Sequence, residues 1–342
     1  MVSYITPGPI KLVNNHLEAA GENVMLGGSG GGAFGYVPSD IEVRNNYIYK
    51  PLAWVPLSLN GTYVEKNGFE LKSAQRVLFD SNTIENVWAA GQVGAAFLLT
   101  IRSSQSGDVA VVQDVTVTNN VFKNVVMGFN TLAADSLCGP PSYPSCHNAG
   151  TTGRWNIANN LVTLYDNKAQ GGIGAHSGLI VFSPGLDIPH GSVIVGLHDV
   201  VVQHNTVVPY GTQTCWSAMY FAVPAGWKPP FSLPLTNNIW ILDNSLCRQP
   251  TGDWGQQGTT GLTQYMGNPG PVDTRFRGNA MYVPAGDKVQ PFPVHNYAST
   301  VPFTYVNPSI IDYQLATPYW TDTSDGQIAG VSFAQLPTST GP

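Results

Sequence analysis

Along this chain, short runs of alternating apolar and polar residues end at an asparagine, and an apolar residue returns two positions later. In "DVTVTNNVFKN" (114–124), Val115 and Val117 alternate with polar neighbours, Asn120 follows, and Phe122 resumes the apolar series. Alternation with a period of two predicts a half-buried strand. Windows of the same form begin at 9, 40, 76, 154, 199, 238 and 273. Each has asparagine at its seventh position: Asn15, Asn46, Asn82, Asn120, Asn160, Asn205, Asn244 and Asn279. The gaps between them are 31, 36, 38, 40, 45, 39 and 35 residues. A period of this size marks a stack of structural repeats.

Aligning the windows predicts the core. Position two carries Ile10, Ile41, Val77, Val115, Trp155, Val200, Ile239 and Thr274, and position four Leu12, Val43, Phe79, Val117, Ile157, Val202, Ile241 and Phe276. Position nine carries Leu17, Ile48, Ile84, Phe122, Val162, Val207, Leu246 and Met281. Side chains two apart on a strand share a face, so positions two and four point inward and position nine begins the next face. The asparagine is expected at the bend, where its amide tolerates the left-handed conformation. Stacked coils would place successive asparagines about 4.8 Å apart, close enough for an amide ladder. Leucine-rich repeats also place an asparagine after a strand, but their period is 20–29 residues and leucine dominates. The longer period, the β-branched residues and the lack of a helical stripe predict an all-β fold, a right-handed parallel β-helix of about eight or more coils. The surplus over a minimal coil falls in loops, notably 27–39, 131–153 and 223–236.

Composition agrees. Only 11% of the 342 residues are charged, against 37 glycines and 26 prolines, which suits a turn-rich β protein and excludes a coiled coil or a charged disordered chain. A net charge of −6 argues against nucleic acid, which needs a basic face. No apolar run is long enough for a membrane helix. Cys138 and Cys146 bracket a proline-rich loop, and Cys215 and Cys247 lie 32 residues apart, close to one repeat. These four are disulfide candidates and predict a secreted or surface protein.

The windows resemble the repeats of pectate-lyase-like right-handed β-helix proteins, which are commonly secreted by bacteria. "GENVMLGG" (21–28), "PSDIEVRNNYIYKPLAW" (38–54), "FELKSAQRVLFDSNTIEN" (69–86) and "DYQLATPYWTDTSDGQIAG" (312–330) resemble, more narrowly, one bacterial group of them. The resemblance implies one β-helix domain over 1–342, with coils over about 9–290 and a finishing segment over 291–342. It also implies that the group's N-terminal cap is missing here.

An extended polymer suits the long outer strip of a β-helix sheet. Alternation in "GFELKS" sends Phe69 and Leu71 inward and Glu70 and Lys72 outward, and "GAAFLLTIRSS" likewise sends Thr100 and Arg102 outward. With Glu22 and Lys50 near, these residues form the candidate catalytic strip, flanked by Asn23, Trp54 and Thr100 as candidate substrate contacts. In β-elimination of a uronate polysaccharide, Lys72 or Arg102 would neutralise the sugar carboxylate while the other cation or a tyrosine took the adjacent proton. In hydrolysis two carboxyls would serve, with Glu22 and Glu70 about two coils and roughly 9–10 Å apart, near the limit for an inverting pair. The rival expectation is that Glu70 and Lys72 make ordinary cross-strand ion pairs, in a surface protein that binds glycans or assembles without catalysis.

Calcium is possible but has no defined site. Asp40, Asp114, Asp199 and Asp273 at position one alternate with Arg76, Arg154 and Asn238, and the aspartates read as turn residues. His190, His198 and His204 read as loop or strand histidines, too spread for a tetrahedral metal. Trp88, Trp216, Tyr220, Trp227, Trp240 and Trp254 fall beside loops and strand ends, as sugar platforms or core caps. The expected partner is a polysaccharide; sugar, linkage and oligomeric state are not encoded in these patterns.

Overall fold

A computed structural model describes residues 2–3, 7–28, 37–102, 110–135, 151–165, 178–187, 193–209, 215–222, 236–242, 244–253, 257–267, 274–317 and 322–338. Among these residues, three parallel sheets stack their strands in chain order. The first has eight strands from Val2–Ser3 to Thr251–Gly252, the second eight from Ile10–Val13 to Phe276–Arg277, and the third nine from His16–Glu18 to Tyr297–Ser299. The chain visits second, third and first sheet in turn and then steps to the next coil, making a right-handed parallel β-helix.

Parallel register places each window position on its equivalent one coil away: Val115 lies between Val77 and Trp155, and Val117 between Phe79 and Ile157. The predicted inward positions are therefore the core. Position four is buried from Val43 to Phe276 and position nine from Ile48 to Met281, while Leu12 and Leu17 of the first window are half-buried. Thr274 is exposed. Like-on-like stacking also gathers Phe69, Phe79 and Phe97, whose ring centroids lie 4.8–4.9 Å apart. Between the last strand of the first sheet and the last of the second, helix Gly258–Met266 lays Leu262, Tyr265 and Met266 into the core.

The asparagine ladder is present, with one correction. The left-handed residue is not the ladder asparagine but its predecessor: Asn14, Asn45, Ser81, Asn119, Asn159 and His204 have φ of 51–59°. Reversal at position six leaves the position-seven amide facing inward, where it is held from both sides. Asn120 Nδ2 donates to Asn160 Oδ1 at 2.8 Å and to the Phe79 carbonyl at 3.2 Å, while its Oδ1 accepts the Asn82 backbone N–H at 2.8 Å. A ninth rung follows only 17 residues after the eighth, where Asn279 Nδ2 donates to Asn296 Oδ1 at 3.0 Å. The last turn is short because it returns straight to the third sheet at Tyr297–Ser299.

Position one is a second left-handed column: Asp40, Arg76, Asp114, Arg154 and Asp199 have φ of 53–58°. Its alternating charges pair across coils, Arg76 to Asp40 at 2.7 Å and Arg154 to Asp114 at 2.6 Å. Asp273 and the side chain of Asn238 lie outside the described residues. Of the four candidates, Cys215 and Cys247 form a disulfide between neighbouring coils, with Cα atoms 5.9 Å apart; Cys138 and Cys146 lie outside the described residues. The disulfide points to an oxidising, extracytoplasmic location, and no helix among the described residues is long and apolar enough to cross a membrane.

The C-terminal segment does not simply finish the last coil. A hairpin of Tyr305–Asn307 and Asp312–Leu315 is followed by a stretch that runs back along the outside. Tyr305, Tyr313, Val331, Phe333 and Leu336 pack on Val121, Leu161 and Val208 of the third sheet. Ser332 N–H donates to Asn159 Oδ1 at 2.6 Å, fixing the return. Val121 and Leu161 are apolar residues at outward positions, and the returning chain removes them from water.

Candidate functional site

The residues that gather chemistry lie on the outer side of the first sheet near its start. Strand Val24–Leu26 pairs with Phe69–Leu71 so that Met25 lies beside Glu70, and Leu98 lies on Glu70's other side. Phe69 and Leu71 point inward and are fully buried, as alternation predicts. Glu70 points out of the sheet, yet it is only 1% exposed. Two apolar neighbours in register dry its carboxyl.

Glu22 meets Glu70 directly, which overturns the expected separation of two coils. The strands that follow Glu22 and contain Glu70 are adjacent, because the long 51–68 excursion adds residues without adding a coil. The Glu70 carboxyl donates a hydrogen bond to the Glu22 carboxylate. Burial pushes Glu70 up to about 7 against the pull of Lys72, and the Glu22 charge adds to the rise. For Glu22, burial works upward, but the Glu70 hydrogen bond and the Lys66 charge outweigh it and hold the carboxyl below its usual range. Two like charges in contact cannot both ionise, so the pair shares a proton.

Lysines flank the pair. Lys66 Nζ lies 3.3 Å from Glu22, and Lys72 Nζ lies 3.5 Å from Glu70. Both lysines keep part of their side chains in water, at 31% and 22% exposure. Behind them sits a wholly buried couple, Lys50 and Glu65, 3.6 Å apart. Lys50 Nζ donates to the carbonyls of Ala19 at 3.2 Å and Ala20 at 2.7 Å, and to that of Gly21, so it plugs the bend of the preceding coil. Burial lowers the Lys50 ammonium and raises the Glu65 carboxyl. Both shifts disfavour charge, and the charge that persists is the lysine's, held by three carbonyls and Glu22.

The other expected site residues stand apart. Arg102 occupies the coil after Lys72, its N–H donating to the Lys72 carbonyl at 2.9 Å, but its guanidinium turns to buried Asp135 at 2.9 Å. Asn23 is buried, and its Nδ2 donates to the carbonyls of Leu17 at 3.0 Å and Tyr49 at 3.1 Å, a bend-holding arrangement. Trp54 packs edge-on to Tyr63 at 5.9 Å beside the cluster of Val55 and Trp88. Thr100 is half-buried at the end of its strand, opposite Leu132. Sequence reasoning missed Glu65 and Lys66. Their signal was "EKNGFELK" (65–72), four charges within eight residues of a sparsely charged chain.

The histidines and aromatics are dispersed. His198 pairs with Asp199 at 2.8 Å and His204 with Asp325 at 3.0 Å on the returning segment; His190 is not among the described residues. Trp88 is buried and donates to Ser58 Oγ at 2.8 Å, whereas Trp216 is exposed and lies 4.9 Å from Tyr220. Trp227, Trp254 and the side chain of Trp240 lie outside the described residues.

The arrangement brings Glu22, Glu70, Lys66 and Lys72 into one row, with Lys50 and Glu65 as its buried support. The part-exposed groups of the row are the two flanking lysines, so its open edge is cationic although the whole chain is acidic. Comparison with known proteins finds no matching family model, no matching curated protein and no matching solved structure.

Proposed function

We propose that this extracytoplasmic β-helix acts on an anionic polysaccharide, and that its chemistry is β-elimination next to a sugar carboxylate. The observation that carries the reading is the neighbouring Glu22 and Glu70 carboxyls set between two part-exposed lysines, Lys66 Nζ 3.3 Å from Glu22 and Lys72 Nζ 3.5 Å from Glu70. Perturbed carboxyls with specific charged partners are a hallmark of acid–base sites. Lys66 and Lys72 neutralise the uronate carboxylate and so acidify the neighbouring C–H. Glu22 takes that proton, the electron pair forms the carbon–carbon double bond, and the bond to the β oxygen breaks. The same carboxyl then returns the proton to the departing oxygen. Two-carboxylate hydrolysis is disfavoured, because glycosidases hold their carboxyls about 5–9.5 Å apart and these two touch. The resemblance to pectate-lyase-like proteins supports a polysaccharide as the substrate.

One observation favours a second reading, binding without catalysis. Glu70 and Lys50 are closed to solvent, as cross-coil struts would be. The test is the ultraviolet absorbance of the new conjugated double bond while the protein meets polygalacturonate and alginate. Elimination predicts a rising signal that falls about 100-fold or more in Glu22→Gln and Lys72→Ala. A flat trace, with retention on immobilised polyuronate, supports binding instead.

A further inference from the structure

The outer face of the third sheet carries a concavity, separate from the charged row on the first. Tyr49, Glu85 and Lys123 follow one another in register on neighbouring coils. Asn124 donates its backbone N–H to the Thr163 hydroxyl at 2.9 Å on the next coil. Tyr313, from the returning C-terminal hairpin, closes the far side. These residues line a trough of about 470 Å³, within the roughly 300–1,000 Å³ of clefts that hold small molecules.

The chemistry of the lining is polar but balanced. Lys123 Nζ lies 3.0 Å from Glu85, which also accepts the Tyr47 hydroxyl at 2.8 Å. Lys123 remains 38% exposed, so the ammonium hydrogens not used by Glu85 are open to a ligand. The Tyr49 ring is held by Tyr47, stacked at 5.6 Å and 18°. The polar positions climb the helix axis at the strand spacing of about 4.8 Å, which suits a ligand lying along the axis.

We propose that this trough binds a short run of a neutral polysaccharide, with Tyr49 and Tyr313 offering ring surface and Lys123, Asn124 and Thr163 facing the hydroxyls. A sugar ring has an apolar C–H face and a rim of hydroxyls, and the trough pairs aromatic surface with polar groups in the same way. A charged glycan finds its counter-ion already taken, since the Glu85–Lys123 pair is self-neutral. An extended peptide finds no strand edge, because the interior strands of this sheet are paired on both sides. The inference stands independently of elimination at the first sheet.

The test is affinity electrophoresis of the intact protein through gels containing hydroxyethylcellulose, arabinoxylan or galactomannan, with polygalacturonate as the charged probe. At least one neutral glycan retards the protein, Tyr49→Phe is retarded equally, and Tyr49→Ala and Lys123→Ala each weaken binding about tenfold or more. Lys123→Ala, at a part-exposed position, keeps the test readable if Tyr49→Ala harms the fold. Retardation by polygalacturonate alone, by no neutral glycan, or equally in wild type and both alanine variants overturns the proposal.

Discussion

Replacing Glu70 by Gln tests whether the fold holds a proton on that carboxyl. The amide has nearly the shape of a protonated carboxyl and can donate to Glu22 in the same way. In the wild type, burial raises Glu70 from 4.5 to about 7. Below about pH 4.5 both folded and unfolded chains carry the proton, and the full contribution to stability is present. As pH rises from 4.5 to about 7, the unfolded chain releases the proton while the folded one keeps it, so stability falls. At about 1.36 kcal/mol per unit, the loss levels off at roughly 3 kcal/mol above pH 7. Glu22 has the opposite sign, since its lowered value adds stability above 4.5 that is lost on acidification, outside the window of interest. The Glu70→Gln protein should therefore exceed wild type by roughly 3 kcal/mol at pH 8 and by about 1 kcal/mol or less at pH 5. Guanidinium unfolding of both proteins across pH 5–8 reads this difference directly. A difference that does not change with pH would refute the protonated pair.

Two further perturbations probe the scaffold. Asn120→Ala removes the acceptor of the buried Asn82 N–H and a donor to Phe79 O, and should cost about 2–5 kcal/mol. Asn15→Ala at the exposed first rung, whose partner Asn46 Oδ1 still accepts the Asn15 N–H, should cost under about 1 kcal/mol; equal losses in urea unfolding would contradict a ladder strongest in its interior. The double variant Cys215→Ser/Cys247→Ser frees a 32-residue loop in the unfolded chain and should lose about 4 kcal/mol, and an unchanged denaturation midpoint would show that coil packing alone fixes that junction.

The periodic part of this protein was legible in its sequence. Parallel stacking sets each residue against its equivalent one coil away, so Val43, Phe79, Val117 and Ile157 had to be apolar together, and Asn46 to Asn279 had to recur together. One-dimensional spacing thus carried the coil count, the inward faces and the ladder, and it set Cys215 and Cys247 close to one repeat apart while leaving their pairing open. Tertiary structure decided whatever depends on segments without a period. The 51–68 excursion sets Glu22 against Glu70 and delivers Glu65 and Lys66. Lys50, expected beside the outward strip, sinks into a bend because three carbonyls there need a donor. The returning C-terminal segment covers Val121 and Leu161 and brings Tyr313 over the third sheet. A repeat fixes contacts between neighbours in a regular lattice. Where a loop of arbitrary length lands is a matter of packing and desolvation, which spacing along the chain does not encode.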